Sequence, residues 1–210
     1  MQEELIKTLR GEIKIVANDV SDLLYFEDVF ITRTKPSLTT KKFDQYTIGA
    51  IIKSHYSSVL VIVRKLIGKK RNEISLMRIL LRLEDNNSLI TKDWYAKEWL
   101  KDSQLLSSEP DQLMKGFIEN IPHDEFQKNF GKAGFLDKAI VTKDISDLEN
   151  ATATIKTYVD KRLAHHDKSQ PEVVTEKYYL KALKTIDKLT SKYILLLNQA
   201  GMASLKPVLQ

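Results

Sequence analysis

Apolar residues in this chain return every three or four positions over four long stretches, a period that commits those stretches to amphipathic helices. Leu5, Leu9, Ile13, Val16, Val20, Leu23 and Phe30 form the first stripe, with a gap at Glu27, and predict one helix to about Ile31. The segment Thr34 to Thr40, which contains Pro36, is expected to break it. Ile48, Ile52, His55, Val59, Ile62 and Leu66 predict a second helix from about Phe43, packed antiparallel to the first and ended by Gly68 and Lys69-Lys70-Arg71. Ser75 is placed to cap a short helix that carries Leu76, Ile79, Leu80 and Leu83. A third long stripe, Ile145, Leu148, Thr152, Ile155, Val159 and Leu163, follows Asp144 as its N-cap and should end near His165 or Asp167. After a turn at Ser169-Gln170-Pro171, Ala182, Ile186, Leu189, Tyr193 and Leu196 predict a last helix that reaches Gln199 and is closed by Gly201.

Thr91 to Ala139 follows a different pattern. Trp94, Trp99, Leu113, Phe117 and Phe126 fall in shorter segments, Pro110 and Pro122 suit first helical turns, and Gly131 and Gly134 suit a loop. His123-Asp124-Glu125 then reads as the opening of a short helix, and residues 91–139 as an insertion of two or three short helices. With only 7 Gly and 5 Pro among 210 residues and no strand-like alternation, the expected fold is all-α. It is a bundle of about four long helices with an inserted set of short ones, in one domain spanning 1–210.

The chain has no cysteine, which removes disulfides, thiolate ligands and a cysteine nucleophile from consideration. Its N-terminus mixes charges with Leu and Ile and does not read as a signal peptide, and the apolar run Val59 to Val63 is too short to cross a bilayer. A cytoplasmic protein without a membrane partner is expected. A net charge of +5 favours a polyanionic partner only if the cations are gathered on one surface.

Two places gather them. The segment Ile155-Lys-Thr-Tyr-Val-Asp-Lys-Arg-Leu-Ala-His165-His-Asp-Lys168 joins the last two long helices, and Val59 to Leu83 contains Val63-Arg64-Lys65-Leu66, Ile74-Ser75-Leu76 and Ile79-Leu80-Leu81. Together these strings resemble the HEPN superfamily, in particular its abortive-infection, AbiU-type branch. The resemblance implies a helical module acting on RNA, as a binder or a metal-independent endoribonuclease in antiviral or toxin-antitoxin defence. It also implies a site shared between two protomers. In the active enzymes an Arg, usually followed by a polar residue, is separated from a His by four to six intervening residues. With His165 on the family His, Asp160 takes the polar position and Val159 the Arg position, so the motif is broken. Arg162 is the nearest substitute, and His166 lies beside the pair. The chemistry needs a group near neutral pKa to move the ribose proton and a cation for the phosphorane charge, roles suited to histidine and arginine. The same Arg162, His165 and His166 are also simply favoured near a helix C-terminus, by roughly half a kcal/mol each.

Spacing alone marks the second cluster. Lys177, Lys181, Lys184, Lys188 and Lys192 recur at steps of four, three, four and four, within a wedge of about 80° opposite the apolar stripe. These lysines and Lys161 are the candidate nucleic-acid contacts. A solvated outer face accounts for the same row. Tyr158, Tyr178 and Tyr179 are placed either to stack on bases or to pack in the core. His55 reads as a core histidine, because the sequence positions no acid to orient it. No spacing suits a metal or a nucleotide, and neither cofactor is expected. The rival to an RNA-acting protein is a non-catalytic helical scaffold or regulatory protein-binding partner that dimerises through its C-terminal helices.

Overall fold

A computed structural model describes residues 2–40, 43–101, 112–163, 172–201 and 204–207 of the chain. The first apolar stripe forms α1, Gln2–Val29, whose Ile6, Leu9, Ile13, Val16, Val20 and Leu23 are buried. The expected break after it does not occur. A π-helical turn, Phe30–Thr34, leads directly into α2, Lys35–Thr40. Pro36 lies within this continuous helix, just after the π-turn, which the backbone N–H of Lys35 closes on Phe30 O.

Asp44 caps α3, Gln45–Leu66, by accepting from the Thr47 N–H at 2.9 Å. The pairs Glu27–His55 and Asp19–Lys65 run in opposite directions along the two chains, so α3 is antiparallel to α1 as expected. Burial along α3 is uneven. Val59, Leu60, Val63 and Leu66 enter the core, whereas Ile48 and Ile52 are only half-buried and Tyr46 is 92% exposed. Among the described helices α3 alone has the length and apolar composition of a membrane span. Its last three turns pack into the bundle.

Ser75 caps α4, Leu76–Asp85, accepting from the Arg78 N–H while its own hydroxyl donates to Gly68 O. A 3-10 turn at Asn87–Leu89 leads to α5, Lys92–Lys101. The next helix, α6, spans Gln112–Phe130 and contains Pro122 in its interior, not in a first turn. The lost hydrogen bond is outweighed by packing: Tyr95, Phe126 and Phe130 are fully buried against one another at ring distances of 5.6 to 6.0 Å. His123-Asp124-Glu125 therefore lies in mid-helix, and Glu125 accepts from the Tyr95 hydroxyl. Pro110 falls outside the described residues.

Gly131 turns the chain at φ +128°, where a Cβ would lie 2.7 Å from that of Asp137. Asp137, not Asp144, then caps α7, Lys138–Tyr158, through the Ala139 N–H. Asp144 is buried inside that helix, where it accepts from the Tyr193 hydroxyl at 2.8 Å and pairs with Lys192 at 2.5 Å. A second π-turn, Val159–Leu163, extends α7. The last helix, α8, runs over Glu176–Asn198 and ends at Gln199, which takes the left-handed conformation (φ 54°) expected of Gly201.

The structure is thus an all-α bundle. Among the described residues it contains no strand, only an isolated bridge between Thr91 and Phe135. α8 packs chiefly on α1 and α7, antiparallel to both. Leu9, Val16, Ile155, Ile186 and Leu189 share one core, with Ile62 partly buried against it. Ile52 falls outside that core, and the Leu163 side chain is outside the described set. The aromatic trio of α5 and α6 joins the same core.

Candidate functional site

The π-turn at Val159–Leu163 holds the described part of the motif segment. Its i→i+5 bonding widens the helix, a form that recurs at functional positions. Val159, which the resemblance aligns with the family's Arg, is 5% exposed and belongs to the core. Asp160, at the polar position, is the centre of an ion-pair network. Arg64 Nε donates to Asp160 Oδ1 at 2.7 Å, and Lys156 Nζ to Oδ2 at 3.1 Å. Lys161 is half-buried and Arg162 exposed, without an ion pair among the described residues. His165 and His166 lie outside those residues.

Arg64 was not predicted as a site residue, although it sits in one of the strings that carry the family likeness. It reaches the motif from α3, and no local spacing reports such a contact. The pairing alters Asp160 chemically. Partial burial opposes ionisation, but hydrogen bonds from Arg64 and Lys156 outweigh it and hold the carboxyl below the usual aspartate range. A depressed carboxyl stabilises the fold above the unfolded-state pKa, about 4, and that support disappears as pH falls through the lower folded value. Side-chain exposure of 36% keeps the effect small. A carboxyl-carbon NMR titration should place the Asp160 midpoint below that of an ordinary aspartate and move it upward in Arg64→Met. An unshifted wild-type midpoint would show that the network does not persist in solution.

The lysine row on α8 is only partly available. Lys177, Lys181, Lys184 and Lys188 are exposed. Lys192 is bound to buried Asp144 and lies 5.5 Å from the Tyr193 ring centroid, so it is a structural cation and leaves the candidate set. Asp147 adjoins this end of the row. It is held below its ordinary range first by a hydrogen bond from Lys143 and further by the charges of Lys188 and Lys192.

Tyr179 is also unavailable for stacking. It is 2% exposed and donates its hydroxyl to Glu27, while Tyr158 packs against the core. The same Glu27 oxygen lies 2.9 Å from His55 Nε2. Phe30 stacks on the His55 ring at 3.7 Å and 7°, and Tyr56 meets Phe30, His55 and Tyr179 edge-on. His55 is therefore a core histidine, as expected, but an acid does orient it: the gap at Glu27 in the first stripe is that acid. Burial, and then the hydrogen bond to Glu27, raise the Tyr179 hydroxyl far above its ordinary pKa. With side-chain exposures of 8% and 15%, Glu27 and His55 form a structural polar knot where α1, α3 and α8 meet. Among the described residues no group of three His, Asp or Glu is arranged to hold a metal.

The chain is thus an all-α bundle with a cation-rich turn after its penultimate long helix. The model of the abortive-infection family HEPN_AbiU2 matches residues 2–207, and the chain belongs to that family. No curated protein and no solved structure matches the chain.

Proposed function

We propose that this defence-family protein acts on RNA, binding it at the end of α7 and along the exposed part of α8, with weak metal-independent cleavage. The observation that carries this reading is the pairing of Arg64 and Lys156 with Asp160 in the π-turn that also carries Lys161 and the exposed Arg162. Cations gathered at one helix end suit a phosphate backbone. In this reading Arg162 takes the part of the absent family arginine, His165 moves the proton, and two copies paired through their C-terminal helices complete the site. Lys177, Lys181, Lys184 and Lys188 extend the cationic track.

Filter binding of a single-stranded RNA across several salt concentrations tests the binding half. Lys181→Gln, Lys184→Gln and Lys188→Gln in one variant should weaken binding and flatten the salt dependence by roughly one unit of slope per lost phosphate contact. Identical slopes would assign the row to solubility. A second reading, a non-catalytic scaffold, draws on the burial of Val159, since the family's charge-stabilising side chain is replaced there by a core residue. Absence of both RNA binding and cleavage would favour it, whereas RNA binding without cleavage in EDTA would leave a binder without enzymatic activity.

A further inference from the structure

A groove of about 940 Å³ runs between the junction of α3 with α4 and the end of α7. Its floor is aliphatic: Ile67, Met77 and Val159 are nearly closed off, and Thr152 and Ala153 form the α7 wall. Val61 and Ile74 overhang it with 49% and 39% of their surfaces exposed, although both are large β-branched residues. Around the rim stand Arg64, Lys65, Lys69, Lys70 and Lys156 against Glu73, Glu149 and Asp160, and Lys65 is itself paired with Asp19, so five cations meet four carboxylates and the rim keeps a small positive excess. The lining contains no aromatic residue.

We infer that this groove docks an acidic amphipathic helix of a partner protein. Three properties select that occupant. The aliphatic floor and the two overhanging side chains call for apolar side chains at i, i+3, i+4 and i+7, the pattern by which a helix fills a groove. The cationic excess calls for Glu or Asp on the flanks of that helix. Existing rim pairs, such as Lys69–Glu149 and the 4.0 Å pair Lys70–Glu73, are exposed and therefore weak, so incoming carboxylates exchange with them readily. RNA fits the groove less well, because unstacked bases seek aromatic faces and phosphates have nothing to offer an aliphatic floor.

Position gives the docking a consequence. The occupant would cover Val159 and Asp160 together with Arg64 and Lys156, the cations assigned above to RNA, so peptide and RNA would compete. That competition rests on the proposed function; the docking itself does not.

The test uses the full chain and a displayed library of helical peptides of about sixteen residues, four turns. The library is selected on wild type and counter-selected on Val61→Asp/Ile74→Asp, whose substitutions fall at exposed positions. The expected winners combine Leu or Ile at helical spacing with flanking Glu or Asp. A labelled winner should bind the double variant on the order of tenfold more weakly or worse by fluorescence anisotropy, and Lys70→Glu/Lys156→Glu several-fold more weakly. Circular dichroism must show both variants folded. Failure to enrich groove-dependent peptides overturns the inference, as does enrichment of basic or uncharged ones. Two other outcomes overturn it too: loss of RNA binding in Val61→Asp/Ile74→Asp without any peptide ligand, and conversion of a wild-type dimer to monomer by that variant, which would make a second copy the occupant. A peptide that binds a protein showing no affinity for RNA would instead retain the docking site and remove the RNA reading.

Discussion

Glu27→Ala is expected to destabilise the protein by about 3 kcal/mol, lowering the thermal midpoint by on the order of 10 °C. The substitution leaves the Tyr179 hydroxyl, in a side chain 2% exposed, without its acceptor and the His55 ring without its orienting carboxylate. An orphaned buried polar group loses roughly 1–3 kcal/mol, and the space vacated by the side chain adds a cavity term. Glu27→Gln keeps the shape and one acceptor oxygen, so its effect should be clearly smaller. Thermal melts followed by far-ultraviolet circular dichroism compare the two. A Glu27→Ala midpoint within a degree or two of wild type would show that the knot is not a structural element.

The other large effect concerns chemistry. Cleavage of RNA by the wild type should be slow, should persist in EDTA, and should fall by on the order of a hundredfold in both Arg162→Ala and His165→Ala. Each substitution removes a group assigned to the transition state, so the main loss belongs in the single-turnover rate; RNA affinity should change little in His165→Ala and fall modestly in Arg162→Ala, which also loses a phosphate-facing cation. His166→Ala should matter less. Arg64→Ala should act mainly by releasing Asp160, and a loss as large as that of Arg162→Ala would make Arg64 the family arginine's stand-in. Equal rates for wild type and His165→Ala in single-turnover gels would sink the enzymatic part of the proposal.

The parts of the fold legible in the sequence were those fixed by short-range physics. Stripes at three and four residues placed the faces of α1, α7 and α8, and the Ser75 cap was plain because its acceptor and donor lie three positions apart. Where a local signal competed with a distant partner, the partner prevailed. Asp144 has the chemistry of a cap, yet Tyr193 and Lys192 draw it into the helix interior. Pro122 has the mark of a first turn, yet the Tyr95–Phe126–Phe130 cluster carries the helix through it. The site was legible in its composition more than in its assembly. Asp160 was found by motif spacing, but Arg64 is 96 positions away and its approach depends on how α3 crosses the end of α7.

The two π-turns bear on how such a chain tolerates insertion and deletion. A turn closed from i to i+5 contains one residue more than the α-turn it replaces, so it acts as slack in an otherwise rigid register. Loss of a single residue inside α7 would rotate everything beyond it by about 100° and expose the buried stripe. The same loss within Val159–Leu163 can be absorbed by tightening the turn to an ordinary one. Length differences among relatives should therefore collect at Phe30–Thr34 and Val159–Leu163, where the helix carries that slack.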